Sequence, residues 1–139
     1  MIVLDTNVLS EMMRPEPDST VAAWISARPA SSLFTTTVTQ AEILYGLRLL
    51  PLGRRRAGLE TAASEMFATD FAGRVLPFDQ AAAQAYAEIA VTRHRSGRPI
   101  TQFDAQIAAI ARSRDAGVAT RNVADFEDCG IGVIDPWQG

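Results

Sequence analysis

Short, wholly apolar runs alternate along this chain with longer stretches patterned for helix, and few architectures satisfy that alternation. Ile2-Val3-Leu4 comes first, and Leu33-Phe34-Thr35-Thr36, Val75-Leu76, Val118-Ala119-Thr120 and Gly132-Val133-Ile134 follow. A run with no polar face has no side to offer solvent. It belongs in a strand covered on both faces, as the strands of parallel sheets are. The intervening segments read as helices. One runs from Thr6 to Met13 and stops before Pro15. The next opens on Asp18-Ser19-Thr20, good N-cap chemistry, and carries Val21, Trp24 and Ile25 at helical spacing. Thr39 to Leu50 ends at Pro51, and Arg54 to Phe71 follows Gly53. Asp79 caps an alanine-rich helix that reaches Ser96 before Gly97, and Thr101 to Ala116 closes at Gly117. Strand–helix–strand units of this kind wind right-handed around a parallel sheet. The pattern therefore predicts an α/β fold, a three-layer α/β/α sandwich with a five-stranded parallel sheet. Its length of 139 residues suits one domain over 1–139.

In such sheets ligands bind beyond the carboxyl ends of the strands, where the strand order reverses. Three carboxylates are placed to reach that rim. Asp5 directly follows the first strand, Glu42 is expected in the first turn of the third helix, and Asp104 in the first turn of the helix after Pro99. Each also has a local role on offer. Thr39…Glu42 and Thr101…Asp104 fit the capping-box spacing, and Asp5 suits a helix N-terminus. Should the three converge, their mutual repulsion calls for a cation. An all-oxygen ligand set favours Mg²⁺ or Mn²⁺ over Zn²⁺. Such an ion, holding water and a substrate phosphate, makes phosphodiester hydrolysis the natural reaction.

Composition narrows the field. All 13 basic residues are Arg and there is no Lys, so amine chemistry is excluded. A phosphoacceptor receiver domain wants a Lys beside its acidic pocket. A dehalogenase-like phosphatase wants an Asp two residues after its first, where this chain has Asn7. A net charge of −3 argues against a non-specific DNA coater but not against a metal nuclease. No apolar run approaches the roughly 20 residues of a membrane span. The opening residues show no basic leader, and Cys129 is the one cysteine. These features predict a cytoplasmic protein with no membrane association.

Four segments match a known family in order. Val3-Leu4-Asp5-Thr6-Asn7-Val8-Leu9-Ser10, Thr37 to Gly46 around Glu42, Phe103-Asp104-Ala105-Gln106-Ile107-Ala108 and Ala119-Thr120-Arg121-Asn122-Val123-Ala124-Asp125-Phe126 resemble the motifs of PIN-domain ribonuclease toxins of the VapC type. Arg74 to Asp79 and the ending Asp135-Pro136-Trp137 resemble the FitB-like, plasmid-stability branch. The resemblance implies the toxin of a type II toxin–antitoxin pair, an Mg²⁺- or Mn²⁺-dependent endoribonuclease acting on RNA. It implies a homodimer and a cognate small DNA-binding antitoxin, with promoter DNA reached only through that antitoxin. By position, Asp5, Glu42 and Asp104 would hold the metal and its attacking water. Asn7 would orient Asp5 or substrate, and Thr120 would add a hydroxyl. Many relatives carry Asp where this chain has Asn122; either Asn122 or Asp125 takes that fourth place. The alternative is a non-catalytic PIN-fold scaffold that binds antitoxin and serves promoter autoregulation.

Other basic and aromatic residues have two readings each. Arg54-Arg55-Arg56 suits RNA backbone or a solvated face. Arg93, Arg95 and Arg98, with Arg121, are candidates for the RNA groove. His94 reads as exposed, Cys129 as a packed small residue, and Trp24, Phe67 and Phe71 as core or interface residues. Leu44, Tyr45, Leu47, Leu49 and Leu50 give the third helix more apolar surface than one core face needs.

Overall fold

The computed structural model describes residues 1–139. Five parallel strands, β1 (Ile2–Leu4), β2 (Leu33–Thr36), β3 (Val75–Leu76), β4 (Gly117–Ala119) and β5 (Val133–Ile134), lie in the order β3-β2-β1-β4-β5. The predicted sandwich is the observed one. Six α-helices flank the sheet: α1 (Thr6–Met12), α2 (Ser19–Ser26), α3 (Thr37–Arg48), α4 (Arg54–Glu65), α5 (Gln80–Arg95) and α6 (Gln102–Ser113).

Side chains alternate across the strands, which splits the core into two layers. Val3 and Val118 pack with Ile89, Ile107 and Phe126 under α5 and α6. Leu4 and Ala119, one residue on, face the opposite side with Leu9, Trp24, Ile43 and Phe67. Val3, Leu4, Val118 and Ala119 are all essentially inaccessible to water, which is why these strands carry no polar residue. Trp24 and Phe67 are core residues; Phe71 is half-buried. No helix is long and apolar enough to cross a membrane.

Three helices depart from the sequence reading. α6 stops at Ser113 with Arg114 as its C-cap, so Gly117 opens β4 and closes no helix. α3 begins at Thr37, two residues before Thr39, because Thr36 at the end of β2 is the cap: its hydroxyl accepts the Thr39 N–H at 3.0 Å. Glu42 therefore sits in the second turn, not the first, and is released from capping duty. The fourth helix does not run unbroken to Phe71. It gives way at Met66–Asp70 to a wider turn closed by Phe71 N–H donating to the Met66 carbonyl at 2.9 Å. The extra residue in that turn accompanies the burial of both Met66 and Phe67.

The sheet order puts the switch point between β1 and β4. Asp5 N–H donates to the Ala119 carbonyl at 2.9 Å, so the residue after β1 is pinned to the end of β4. Beyond those ends lie the starts of α1, α3 and the segment after β4.

Candidate active site

Asp5 is 5% exposed, and its carboxylate is held from two sides. Oδ1 accepts the Thr6 N–H at 2.8 Å, the local bond that starts α1. Oδ2 accepts the Thr120 hydroxyl at 2.8 Å and lies 3.4 Å from Asn7 Nδ2. Asn7 Nδ2 also donates to Thr120 Oγ1 at 3.2 Å, and Asn7 Oδ1 accepts the Arg121 N–H at 3.3 Å. Thr120 Oγ1 in turn accepts the Asn122 N–H at 3.0 Å. Asn7 and Thr120 thus clamp the first acidic residue to the segment after β4. Thr6 performs the same service toward α3. Its hydroxyl donates to Glu42 Oε1 at 2.9 Å and lies 3.1 Å from the Thr39 hydroxyl. Asp104 sits at the start of α6, where Thr101 Oγ1 accepts its N–H at 3.3 Å.

Asp5, Glu42, Asp104, Asn7 and Asn122 line one open pocket of about 600 Å³, with Thr6, Ser10, Glu11, Arg14, Arg121 and Trp137. The electrostatics carry the mark of crowding. Burial lifts the Asp5 carboxyl from its ordinary 3.8 to about 6; the Thr120 and Thr6 bonds work against this, and the charges of Asp104 and Glu42 add to it. Burial also raises Glu42, opposed by the Thr6 bond and assisted by Asp104. Asp104 is raised by burial, lowered by Thr101, raised by Asp125 and lowered by Arg93.

This donor set suits a hydrated hard cation. Three partly desolvated carboxylates share a pocket with no His or Cys. No three acidic, His or Cys side chains close tightly enough to cage an ion unaided. An open set of this kind leaves room for a divalent cation's own waters and a substrate phosphate to complete its coordination.

A first test follows from the cost of Asp5. Its folded carboxyl is raised, so ionised Asp5 opposes folding near neutral pH, above that raised value. Asp5→Asn is expected to stabilise the metal-free protein by about 1–2 kcal/mol, roughly 2–8 °C in melting temperature. Thermal melts at pH 7 in EDTA read this directly; a lower melting temperature would mean the lost hydrogen bonds outweigh the relieved burial.

The structure sorts the remaining candidates. Asn122 faces the pocket, whereas Asp125 lies outside its lining and reaches it only through its charge on Asp104. Arg121 lines the pocket. Arg98 does not: it is tied to Glu127 at 2.9 Å and to Asp128, which neutralise it away from the site. Arg93 is buried and bound to backbone carbonyls, so it is no groove residue. His94 is exposed and Cys129 is packed at 1% exposure. Arg56 pairs with Glu60 at 2.5 Å, while Arg54 and Arg55 line an adjoining groove between α1, α3 and α4 that shares Thr6, Ser10, Arg14 and Glu42 with the pocket. Sequence reasoning missed Thr6, whose hydroxyl links the Asp5 and Glu42 segments, and Trp137 at the pocket rim. The only signals for them were their places inside the Asp5-Thr6-Asn7 and Asp135-Pro136-Trp137 motifs.

Comparison with known proteins agrees with this geometry. Residues 2–130 match the model of the PIN domain. The chain is 41% identical over 138 residues to the VapC ribonuclease Y4jK of Sinorhizobium fredii, covering 99% of each protein. It is 36% identical to Toxin FitB of Neisseria gonorrhoeae, again over 99% of each. It superposes on the crystal structure of FitAcB from the same organism with a TM-score of 0.93, covering 100% of both chains.

Proposed function

This chain belongs to the PIN-domain family, on its VapC- and FitB-like branch, and from that premise we propose that it is the toxin of a type II toxin–antitoxin pair, a metal-dependent endoribonuclease. The observation that carries the reading is the meeting of Asp5, Glu42 and Asp104 in one pocket that raises all three carboxyls. We take residues 1–139 as one PIN domain acting in the cytoplasm.

Asp5, Glu42 and Asp104 would hold the ion. When bound, Mg²⁺ or Mn²⁺ would supply Lewis-acid polarisation of the phosphate and a water of lowered pKa. The chain's own residues do the positioning. Thr120 and Asn7 fix the Asp5 carboxylate from the β4 side, and Thr6 fixes Glu42 from the α1 side, so neither carboxylate has to reorganise as charge develops. From the start of α6, Asp104 would orient the attacking water and accept its proton. Asn122 takes the fourth place at the pocket, contributing an amide without charge.

Partners follow from the same reading. A cognate small DNA-binding antitoxin would engage the toxin, and promoter DNA would be reached through that antitoxin. FitAB bound to an IR36 DNA fragment is a similar assembly. Leu44, Tyr45, Leu49 and Leu52 stand exposed on α3 and just beyond it, an apolar surface suited to a homodimer contact.

The test is RNA cleavage with Mg²⁺ or Mn²⁺ by wild type, Asp5→Ala and wild type in EDTA. Cleavage by untreated wild type alone is expected. Equal cleavage in all three samples would place the chemistry elsewhere. No cleavage of total cellular RNA by folded protein would favour the non-catalytic antitoxin-binding scaffold.

A further inference from the structure

We propose that Arg121 and Trp137 together form a stacking platform for one RNA base at the rim of the acidic pocket. The proposal rests on the ribonuclease reading and deepens it, by naming what seats the nucleotide beside the scissile phosphate.

Trp137 is the one apolar side chain lining an otherwise polar pocket. The Arg121 guanidinium carbon lies 5.1 Å from the centroid of its ring. Both residues are fixed at the backbone. Arg121 follows β4 and donates its N–H to Asn7 Oδ1. Trp137 sits in a 3-10 turn, Pro136–Gln138, where Asp135 accepts its N–H at 2.9 Å. Trp137 is half-buried against the layer that includes Trp24, and Arg121 is exposed, so the guanidinium is the outer member of the pair.

Of the two cations that line this pocket, Arg14 and Arg121, Arg121 is the uncommitted one. It shares a pocket with three candidate metal-binding carboxylates yet makes no ion pair, and its guanidinium makes no hydrogen bond. Arg14, by contrast, is held by Glu11 at 3.0 Å, and Arg98 by Glu127 and Asp128. A guanidinium lying over a ring presents a flat, weakly hydrated outer face and a fork of free donors. Single-stranded RNA is bound by such surfaces: an unstacked base lies on an aromatic ring or a guanidinium plane, while cationic donors take the phosphate. A positive platform beside an acidic pocket also offsets the repulsion a phosphate would meet there.

The competing role for Trp137 is purely structural, anchoring the last turn against the core. Base and backbone can be told apart with a strand that lacks bases. Fluorescence anisotropy would measure binding of a labelled single-stranded oligoadenylate and of an abasic ribose-phosphate strand of equal length. Full-length protein would carry Asp104→Asn, so that the probe stays intact with Mg²⁺ present. Adding Trp137→Ala is expected to weaken oligoadenylate binding by about 5- to 50-fold and abasic binding by less than about twofold. Trp137→Phe keeps a ring face and is expected to stay within about threefold of the parent on oligoadenylate. Arg121→Ala is expected to weaken both strands, oligoadenylate more. Unchanged oligoadenylate affinity in Trp137→Ala would overturn the platform, as would equal losses on the two strands or a folded Phe variant as weak as the Ala one. In those cases the parent still binds RNA and the ribonuclease reading stands. A parent that binds neither strand, with wild type that cleaves no RNA, would bring down that reading and the platform with it.

Discussion

Asp104→Asn is expected to lower the rate of Mg²⁺-dependent RNA cleavage by about 10²–10⁴-fold while leaving the fold intact. The substitution preserves shape and keeps one carbonyl oxygen. It removes a negative charge from the proposed ion's surroundings and, with it, the half-buried carboxylate proposed to accept the water's proton. The bond that caps α6 runs from the Asp104 backbone N–H to Thr101 and does not involve the side-chain charge, so helix formation is spared. Single-turnover cleavage together with a thermal melt checks both halves. Activity within threefold of wild type would remove Asp104 from the chemistry. A large loss of melting temperature would reassign it to folding.

Arg93 carries the second large effect, on stability. It lies in the last turn of α5 at 5% exposure and pairs with no carboxylate. Its charge is solvated by main chain instead. Nε donates to the Arg98 carbonyl at 2.7 Å, and Nη1 to the carbonyls of Asp125 and Glu127 at 2.9 and 3.1 Å. One side chain thereby ties the turn after α5 to the segment that follows Asn122. Arg93→Ala would strand three carbonyls beside a cavity, at a cost of about 3–4 kcal/mol. That is a large share of the ~5–15 kcal/mol typical of a domain and lowers the melting temperature by roughly 6–16 °C. Arg93→Lys is expected to recover only part of this, since a point charge cannot reach all three acceptors in the fork geometry. Calorimetry, with amide exchange across residues 122–129, measures it. A shift below about 2 °C would mean that water replaces the guanidinium.

The strands, the helices and their order were legible because each depends on local pattern. Ile2-Val3-Leu4 has no polar face, so it had to be covered on both sides, and Pro15, Pro51 and Gly97 each fall shortly past a helix end. The three acidic residues were legible as candidates for the same reason: each stands just after a strand or near the start of a helix. Their local alternatives were equally visible. Only α3's earlier start, set by the Thr36 hydroxyl, showed that Glu42 is not a capping residue.

Distance in space was not legible. Asp5 meets Thr120 across 115 residues of chain and Thr6 meets Glu42 across 36, contacts set by the register of β1 on β4 and on β2. The arginines show the same limit. Arg93, Arg98 and Arg121 are chemically identical and all stood as groove candidates, yet one is buried on carbonyls, one is neutralised by two carboxylates and one lies free over Trp137. The sequence by itself determined which segments become strands and helices and which residue types could do the chemistry, because periodicity, capping and side-chain identity act over a few residues. The tertiary structure alone decided which of those residues share the pocket, because a carboxylate's or guanidinium's state is set by the neighbours that strand pairing brings to it.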